Sequence, residues 1–190
     1  KGTGKLYLAR LIHRESPRCE SVFTKINCSE IPVDQPERSI FGFEQSDGND
    51  PVRTQGILEI ADGGTVYFDV FEHLSAAVQD KLFRAMQMRH FRRTGGADDL
   101  NLDVRIITGT TKVYRQAGIS DDPQPVPATR PGPVSINIPP LRERREDIES
   151  LIYLFLGEYS GNCVPAVTQI TAEALDFCRH YSWPGNIYEL

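Results

Sequence analysis

An α/β fold, a parallel sheet flanked by helices with the start of a small helical lid, follows from three features of the 190-residue sequence. Residues 1–5 read Lys-Gly-Thr-Gly-Lys, the closing positions of a glycine-rich phosphate-binding loop that opens a helix. Strand-like and helix-like stretches then alternate as far as residue 138, the order that a parallel sheet with crossover helices requires. Beyond Pro140 only helical periodicity remains.

Each element has its own reason. Leu8, Leu11 and Ile12 recur at helical spacing after the glycine loop, and Ser16-Pro17 ends that helix. Val22 to Ile26 alternates and is rich in β-formers, so it predicts a strand. Ile31 to Phe41 predicts a short helix with Pro32 near its first turn. Residues 45–56 carry turn formers and almost nothing apolar, an exposed loop. Gly63-Gly64 introduces Thr65 to Asp69, an apolar run that reads as a buried parallel strand with a carboxylate at its C-terminal end. Ser75 is placed to N-cap the next helix, whose inner stripe is Val78, Leu82, Ala85 and Met86. Val104 to Thr108 is another buried strand. From Gln116 to Pro133 the prolines forbid regular helix. Val134 to Ile138 alternates like a last strand. Ile148, Leu151, Ile152, Phe155 and Leu156 share one helical face, and Thr171 caps a further helix through Leu175 and Phe177 to Tyr181. The expected organisation is a core at 1–140 and a lid at 141–190.

The sequence enters the glycine motif in its second half and stops at Leu190 without a cap or tail. It reads as a piece of a longer multidomain protein, with the first strand missing, the lid cut short, and low stability expected in isolation.

Composition narrows the function. Apolar residues make up 39% and charged residues 25%, as in ordinary globular domains. A net charge of −5 offers no basic face for nucleic acid, so DNA contact is expected from a domain outside this segment. No run approaches the ~20 apolar residues of a membrane span, so no membrane partner is expected. Cys19, Cys28, Cys163 and Cys178 form no CxxC pair and no zinc spacing, which fits reduced thiols in a cytoplasmic protein. His13, His73, His90 and His180 are scattered and read as surface or boundary residues.

On sheets of this kind ligands bind at the carboxyl ends of the strands. The glycine loop, Asp69 and Thr108 to Thr111 belong there. Gly2, Thr3, Gly4 and Lys5 alone fit either a phosphate loop or a chance glycine turn. Asp69 fits either a Mg²⁺ ligand or a strand-end turn residue. Loop, topology and carboxylate together favour nucleotide. Leu6 stands where such loops usually place a Mg²⁺-binding hydroxyl.

Several stretches carry a family resemblance. In order they are Gly2-Thr3-Gly4-Lys5, Asn27-Cys28, Phe41-Gly42-Phe43-Glu44, Ala61-Asp62-Gly63-Gly64-Thr65, Gln79-Asp80-Lys81-Leu82 and Asp103-Val104-Arg105-Ile106-Ile107. Pro139-Pro140-Leu141-Arg142-Glu143-Arg144-Arg145-Glu146-Asp147-Ile148 and Trp183-Pro184-Gly185-Asn186 complete the series. The chain resembles, over nearly its whole length, the AAA+ (sigma-54 interaction) domain of NtrC-like bacterial enhancer-binding transcription regulators. The resemblance implies a P-loop NTPase AAA+ fold, ATP/ADP and Mg²⁺ as cofactors, RNA polymerase or its sigma factor as partner, and self-association into a dimer or ring.

The departures from the family pattern concern chemistry. The family's Mg²⁺ strand ends Asp-Glu, and here it ends Asp69-Val70. The glutamate is the family's water activator, and losing a general base costs ~10²–10⁴ in rate. The family's GAFTGA sigma-contact loop is replaced after Glu44 by Gln45-Ser46-Asp47-Gly48-Asn49-Asp50. Of the two trans arginines in the family's R-E-D-L-Y-Y-R segment, the first aligns with Gln124 and the second with Arg130. Arg130 reads either as a trans arginine, worth ~10³–10⁵ in rate, or as a solvated loop arginine. Tyr188 replaces the lid arginine, and Thr111 occupies the polar sensor position. Arg142, Arg144 and Arg145 interleave with acids, as in a solvated helix start.

The expectation is a nucleotide-binding AAA+ module impaired in hydrolysis and in sigma-54 contact. An ATPase that remodels polymerase, or an oligomerisation scaffold with an empty pocket, are the alternatives.

Overall fold

The computed structural model describes residues 1–32, 34–45, 52–111, 134–160, 167 and 169–190. Its contacts divide the chain into two compact units, one formed by Leu6–Pro125 and the other by Lys1–Lys5 with Val126–Leu190.

The elements run α1 (Lys5–Arg14), β1 (Phe23–Asn27), α2 (Pro36–Phe41), β2 (Phe43–Gln45), β3 (Val52–Thr54), α3 (Ile57–Ile60), β4 (Thr65–Asp69), α4 (Ala76–Met88), β5 (His90–Phe91), β6 (Leu100–Asn101), β7 (Arg105–Thr108), α5 (Glu146–Tyr159) and α6 (Ala172–His180). In the first unit β1, β4 and β7 form a parallel sheet with β4 central. Its register sets Asn27 opposite Asp69 and Phe68 opposite Thr108. Val66, Tyr67 and Phe68 are fully enclosed, as a strand covered on both faces requires. Ile40, Phe41, Leu58, Phe71, Val78 and Leu82 pack into the same core. Ser75 caps α4 by accepting from the Val78 N–H.

Other expectations needed correction. Val134 to Ile138 is not a strand; Val134 is 89% and Ile136 57% exposed, and no described backbone takes their hydrogen bonds. Alternation makes a strand only where a neighbour completes the ladder. The helix expected over Ile31 to Phe41 narrows to Pro36–Phe41, with Pro36 in its first turn, where its missing N–H is unneeded. The expected loop over 45–56 contains β3, which pairs antiparallel with β2, Arg53 opposite Glu44. His13 is buried rather than superficial, its Nδ1 2.9 Å from the Thr65 hydroxyl. Met86 turns outward, and Gln79 is buried in α4 instead, donating to the carbonyls of Phe71 and Leu74.

In the second unit α5 and α6 enclose a small apolar cluster of Leu141, Ile148 and Ile152, with Leu151, Leu156, Leu175 and Trp183 against it. Thr171 caps α6 through the Ala174 N–H, and Tyr181 ends it. Cys19, Cys28 and Cys178 are free thiols, and Cys163 lies outside the described residues. No described helix is long and apolar enough to cross a membrane.

Candidate nucleotide site

The second unit carries the glycine loop. Gly2 and Gly4 both have left-handed backbones, φ +74° and +95°, flanking Thr3. Left-handed residues alternating with ordinary ones turn successive N–H groups toward one concavity, an anion-binding arrangement. The carbonyls are spent elsewhere. Lys1 O accepts from Asn186 Nδ2 at 2.8 Å, Gly2 O from the Ile187 N–H at 3.1 Å, and Thr3 O from Arg144 Nη2 at 2.8 Å. Among the described residues the N–H groups of Gly2, Thr3 and Gly4 have no hydrogen-bond partner. Lys5 opens α1, whose first turn contains no acid, and its ammonium joins no ion pair among the described residues. Positive dipole and free ammonium suit a phosphate group.

Tyr188, expected at the lid-arginine position, lies beside this loop. It is 94% exposed, and a Cβ on Gly2 would stand 3.1 Å from its Cβ. The same Cβ would come within 2.2 Å of the Gly185 carbonyl, so only glycine permits this approach.

The first unit carries Asp69 and Thr111 at the carboxyl end of its sheet. Asp69 Oδ1 accepts from the Tyr67 hydroxyl and the Val70 N–H, both at 3.1 Å, while Oδ2 takes no hydrogen bond among the described residues. That free hard oxygen fits a magnesium ligand. No group of three or more His, Cys, Asp or Glu able to hold a metal exists among the described residues, so any metal here leans on other oxygens as well. Burial, then the Asp69 charge, pushes the Tyr67 hydroxyl well above its ordinary value. Burial, then the charges of Asp69 and Glu72, pushes the Cys28 thiol up to about 12. The strand end is therefore a negative field in which the Tyr67 hydroxyl and the Cys28 thiol stay protonated.

Val70 is the residue expected at the position of the family's water-activating glutamate. Its backbone is left-handed at φ +54°, a region that a β-branched residue rarely enters. Sequence reasoning missed Glu72, two residues on. Its Oε1 accepts from the Thr111 N–H at 3.0 Å and from the Thr111 hydroxyl at 2.6 Å. Burial alone would raise this carboxyl, but the hydrogen bonds from Thr111 and Thr110 hold it at about 2. Thr111 thus spends its hydroxyl on Glu72. The only advance signal was an acid in the turn that enters α4.

Arg130 and Gln124 lie outside the described residues, as do 46–50 of the expected sigma-contact position. Of the basic cluster, Arg142 pairs with Glu143 and Arg144 with Asp147 at 3.6 Å, while Arg145 donates to the Arg142 carbonyl at 3.3 Å. The reach of Arg144 to Thr3 was not foreseen.

Phosphate-loop glycines at the start of a helix, a parallel sheet and an acid at the end of its middle strand define a P-loop α/β nucleotide fold followed by a helical lid. The sigma-54 interaction domain family matches residues 1–121, and the AAA+ ATPase lid domain matches residues 142–190. The chain belongs to the sigma-54 interaction domain family. It is 38% identical over 191 residues to the Nif-specific regulatory protein of Herbaspirillum seropedicae, covering all of this chain and 35% of that protein. It is 35% identical to the response regulator PilR of Pseudomonas aeruginosa, of which it covers 43%. The structure of NtrX from Brucella abortus in complex with ADP superimposes on the whole chain with a TM-score of 0.78 at 28% identity, over 41% of the NtrX chain. The ATP complex of NtrX gives 0.76 at 29% identity, over 43% of that chain. The chain therefore spans about two fifths of the length of these relatives.

Proposed function

We propose that the chain is the ATP-binding AAA+ module of a bacterial transcription regulator, weakened in hydrolysis and in sigma-54 contact. In this reading the N–H groups of Gly2, Thr3 and Gly4, the Lys5 ammonium and the start of α1 at Leu6 receive the phosphates. Tyr188 lies against the nucleotide without adding charge. Asp69 holds Mg²⁺, which when bound neutralises charge on the phosphate oxygens.

The observation that carries the loss of hydrolysis is Val70. Its methyls neither accept a proton nor orient water. Glu72 is no substitute base. A carboxylate held at about 2 is a weak proton acceptor, and Oε1 is already committed to Thr111. Thr111 serves as a weakened sensor for the same reason, and Arg130 is the one surviving candidate for a trans arginine. Gln45 and the residues after it replace the sigma-contact loop, so the module regulates through nucleotide-dependent assembly into a dimer or ring more than through remodelling of polymerase. DNA contact belongs to another domain of the full protein, which acts in the cytoplasm.

The test pairs nucleotide affinity with turnover in the full-length protein, alongside Val70→Glu. The expected result is ATP and ADP binding with little phosphate release, and release raised at least tenfold by Val70→Glu. Brisk turnover without the substitution refutes the reading. A full-length protein that binds no nucleotide at millimolar concentration makes the module a scaffold instead.

A further inference from the structure

We infer that the lid sets the phosphate-receiving shape of the glycine loop, with Asn186 and Arg144 as positioning residues that act on the loop's carbonyls. The ligand in this inference rests on the nucleotide-binding reading; the grip on the loop does not.

A phosphate loop has to aim N–H groups inward and keep carbonyl oxygens away from the anion. Glycines make that shape accessible, but they also make every other shape accessible, at the largest entropy cost of any residue. Something must hold the oxygens outward. Here the carbonyls of Lys1, Gly2 and Thr3 are each held by a donor from the C-terminal part of the chain.

Asn186 is central to this hold. It is 4% exposed and left-handed at φ +56°, a conformation that asparagine tolerates better than most residues. Its Oδ1 accepts from the Leu141 N–H at 2.7 Å, while its Nδ2 donates to Lys1 O at 2.8 Å. One buried amide thus ties the glycine loop to the turn Leu141–Glu143, and only one orientation of the amide satisfies both bonds. The next residue supplies the Ile187 N–H to Gly2 O. Arg144, in the Arg-Glu-Arg-Arg stretch that sequence reasoning gave to solvent, extends to Thr3 O. The close approach of Gly2 to the Gly185 carbonyl leaves no room for a side chain in the seam.

Asn186→Asp separates the two halves of the bridge. The carboxylate still accepts from Leu141 but gives Lys1 O nothing. Arg144→Met removes the other side-chain donor and keeps an unbranched apolar stem. Leu175→Ala is the control, because it thins the lid's apolar cluster without touching the seam.

The experiment measures backbone amide exchange at Ile187 and ADP affinity in the full-length protein. In the ligand-free protein the Ile187 amide is protected, and Asn186→Asp speeds its exchange at least tenfold. ADP affinity falls about tenfold in Asn186→Asp and severalfold in Arg144→Met. Leu175→Ala lowers the melting temperature but moves neither quantity below that temperature. Free exchange at Ile187 in the unmodified protein overturns the inference. So does unchanged ADP affinity in both seam variants. A protein that binds no ADP yet loses Ile187 protection in Asn186→Asp keeps the grip and removes the nucleotide reading instead.

Discussion

Replacing Glu72 with Gln tests the electrostatics of the sheet end directly. Glutamine keeps the size of the side chain and an oxygen for the Thr111 hydroxyl at 2.6 Å and N–H at 3.0 Å, but removes the charge that both bonds favour. The carboxyl sits at about 2 instead of an ordinary 4.5. At 1.36 kcal/mol per tenfold step that gap corresponds to about 3 kcal/mol, and partial solvent exposure cuts the usable part to about 1–2 kcal/mol. The sign follows from a folded-state value lower than the unfolded one. The stabilisation is fully present above about pH 4.5 and drains away as pH falls toward about 2. Urea denaturation from about pH 7 down to about pH 3, with Thr111 amide exchange as the local readout, should show Glu72→Gln less stable by about 1–2 kcal/mol near neutrality and the difference shrinking below about pH 4.5. A difference that stays constant with pH, or none at neutrality, refutes the assigned role.

Three further substitutions probe the same frame by thermal or urea denaturation. Val70→Asn should stabilise by about 1 kcal/mol, since asparagine enters the left-handed region at lower cost than a β-branched residue; a loss of stability would show that the Val70 methyls matter more than its backbone. Gly109→Ala should cost about 1–3 kcal/mol, because its Cβ would lie 2.2 Å from the Tyr67 hydroxyl oxygen, and Tyr67→Phe in the same chain should recover part of the loss. Arg93→Met should cost about 3–5 kcal/mol, since Arg93 Nε and Nη2 hold Glu59 at 2.9 and 2.5 Å and Nη1 holds Glu44 at 3.2 Å; without it the enclosed Glu59 carboxylate loses its ion pair, while Glu44 keeps Arg53 at 3.1 Å. A loss under about 1 kcal/mol would mean that water reaches both acids.

Features that burial and capping write into neighbouring residues were legible in the sequence. The run Val66 to Phe68 is continuously apolar because both faces of β4 are covered, and Ser75 and Thr171 stand where caps must stand. Features decided by distant partners were not legible. β3 is exposed along its length and owes its existence to pairing with β2. Val134 to Ile138 has the right alternation but no described partner, and His13 is drawn inside by Thr65, far away in sequence. The same division runs through the site. Glycines and a strand-end acid have recognisable spelling, so Gly2, Gly4, Lys5 and Asp69 could be singled out. Donors that recognise backbone carbonyls have none, because every residue offers a carbonyl, and that hid Asn186 and Arg144.

A pocket that holds triphosphate but lacks the group to split it should release its nucleotide unchanged. The most direct measurement isolates the complex of the full-length protein with radiolabelled ATP and Mg²⁺ and follows the bound nucleotide over a single turnover. The label should leave as intact ATP, and Val70→Glu should convert much of it to ADP. Bound ATP that turns into ADP in the unmodified protein faster than it dissociates would contradict this.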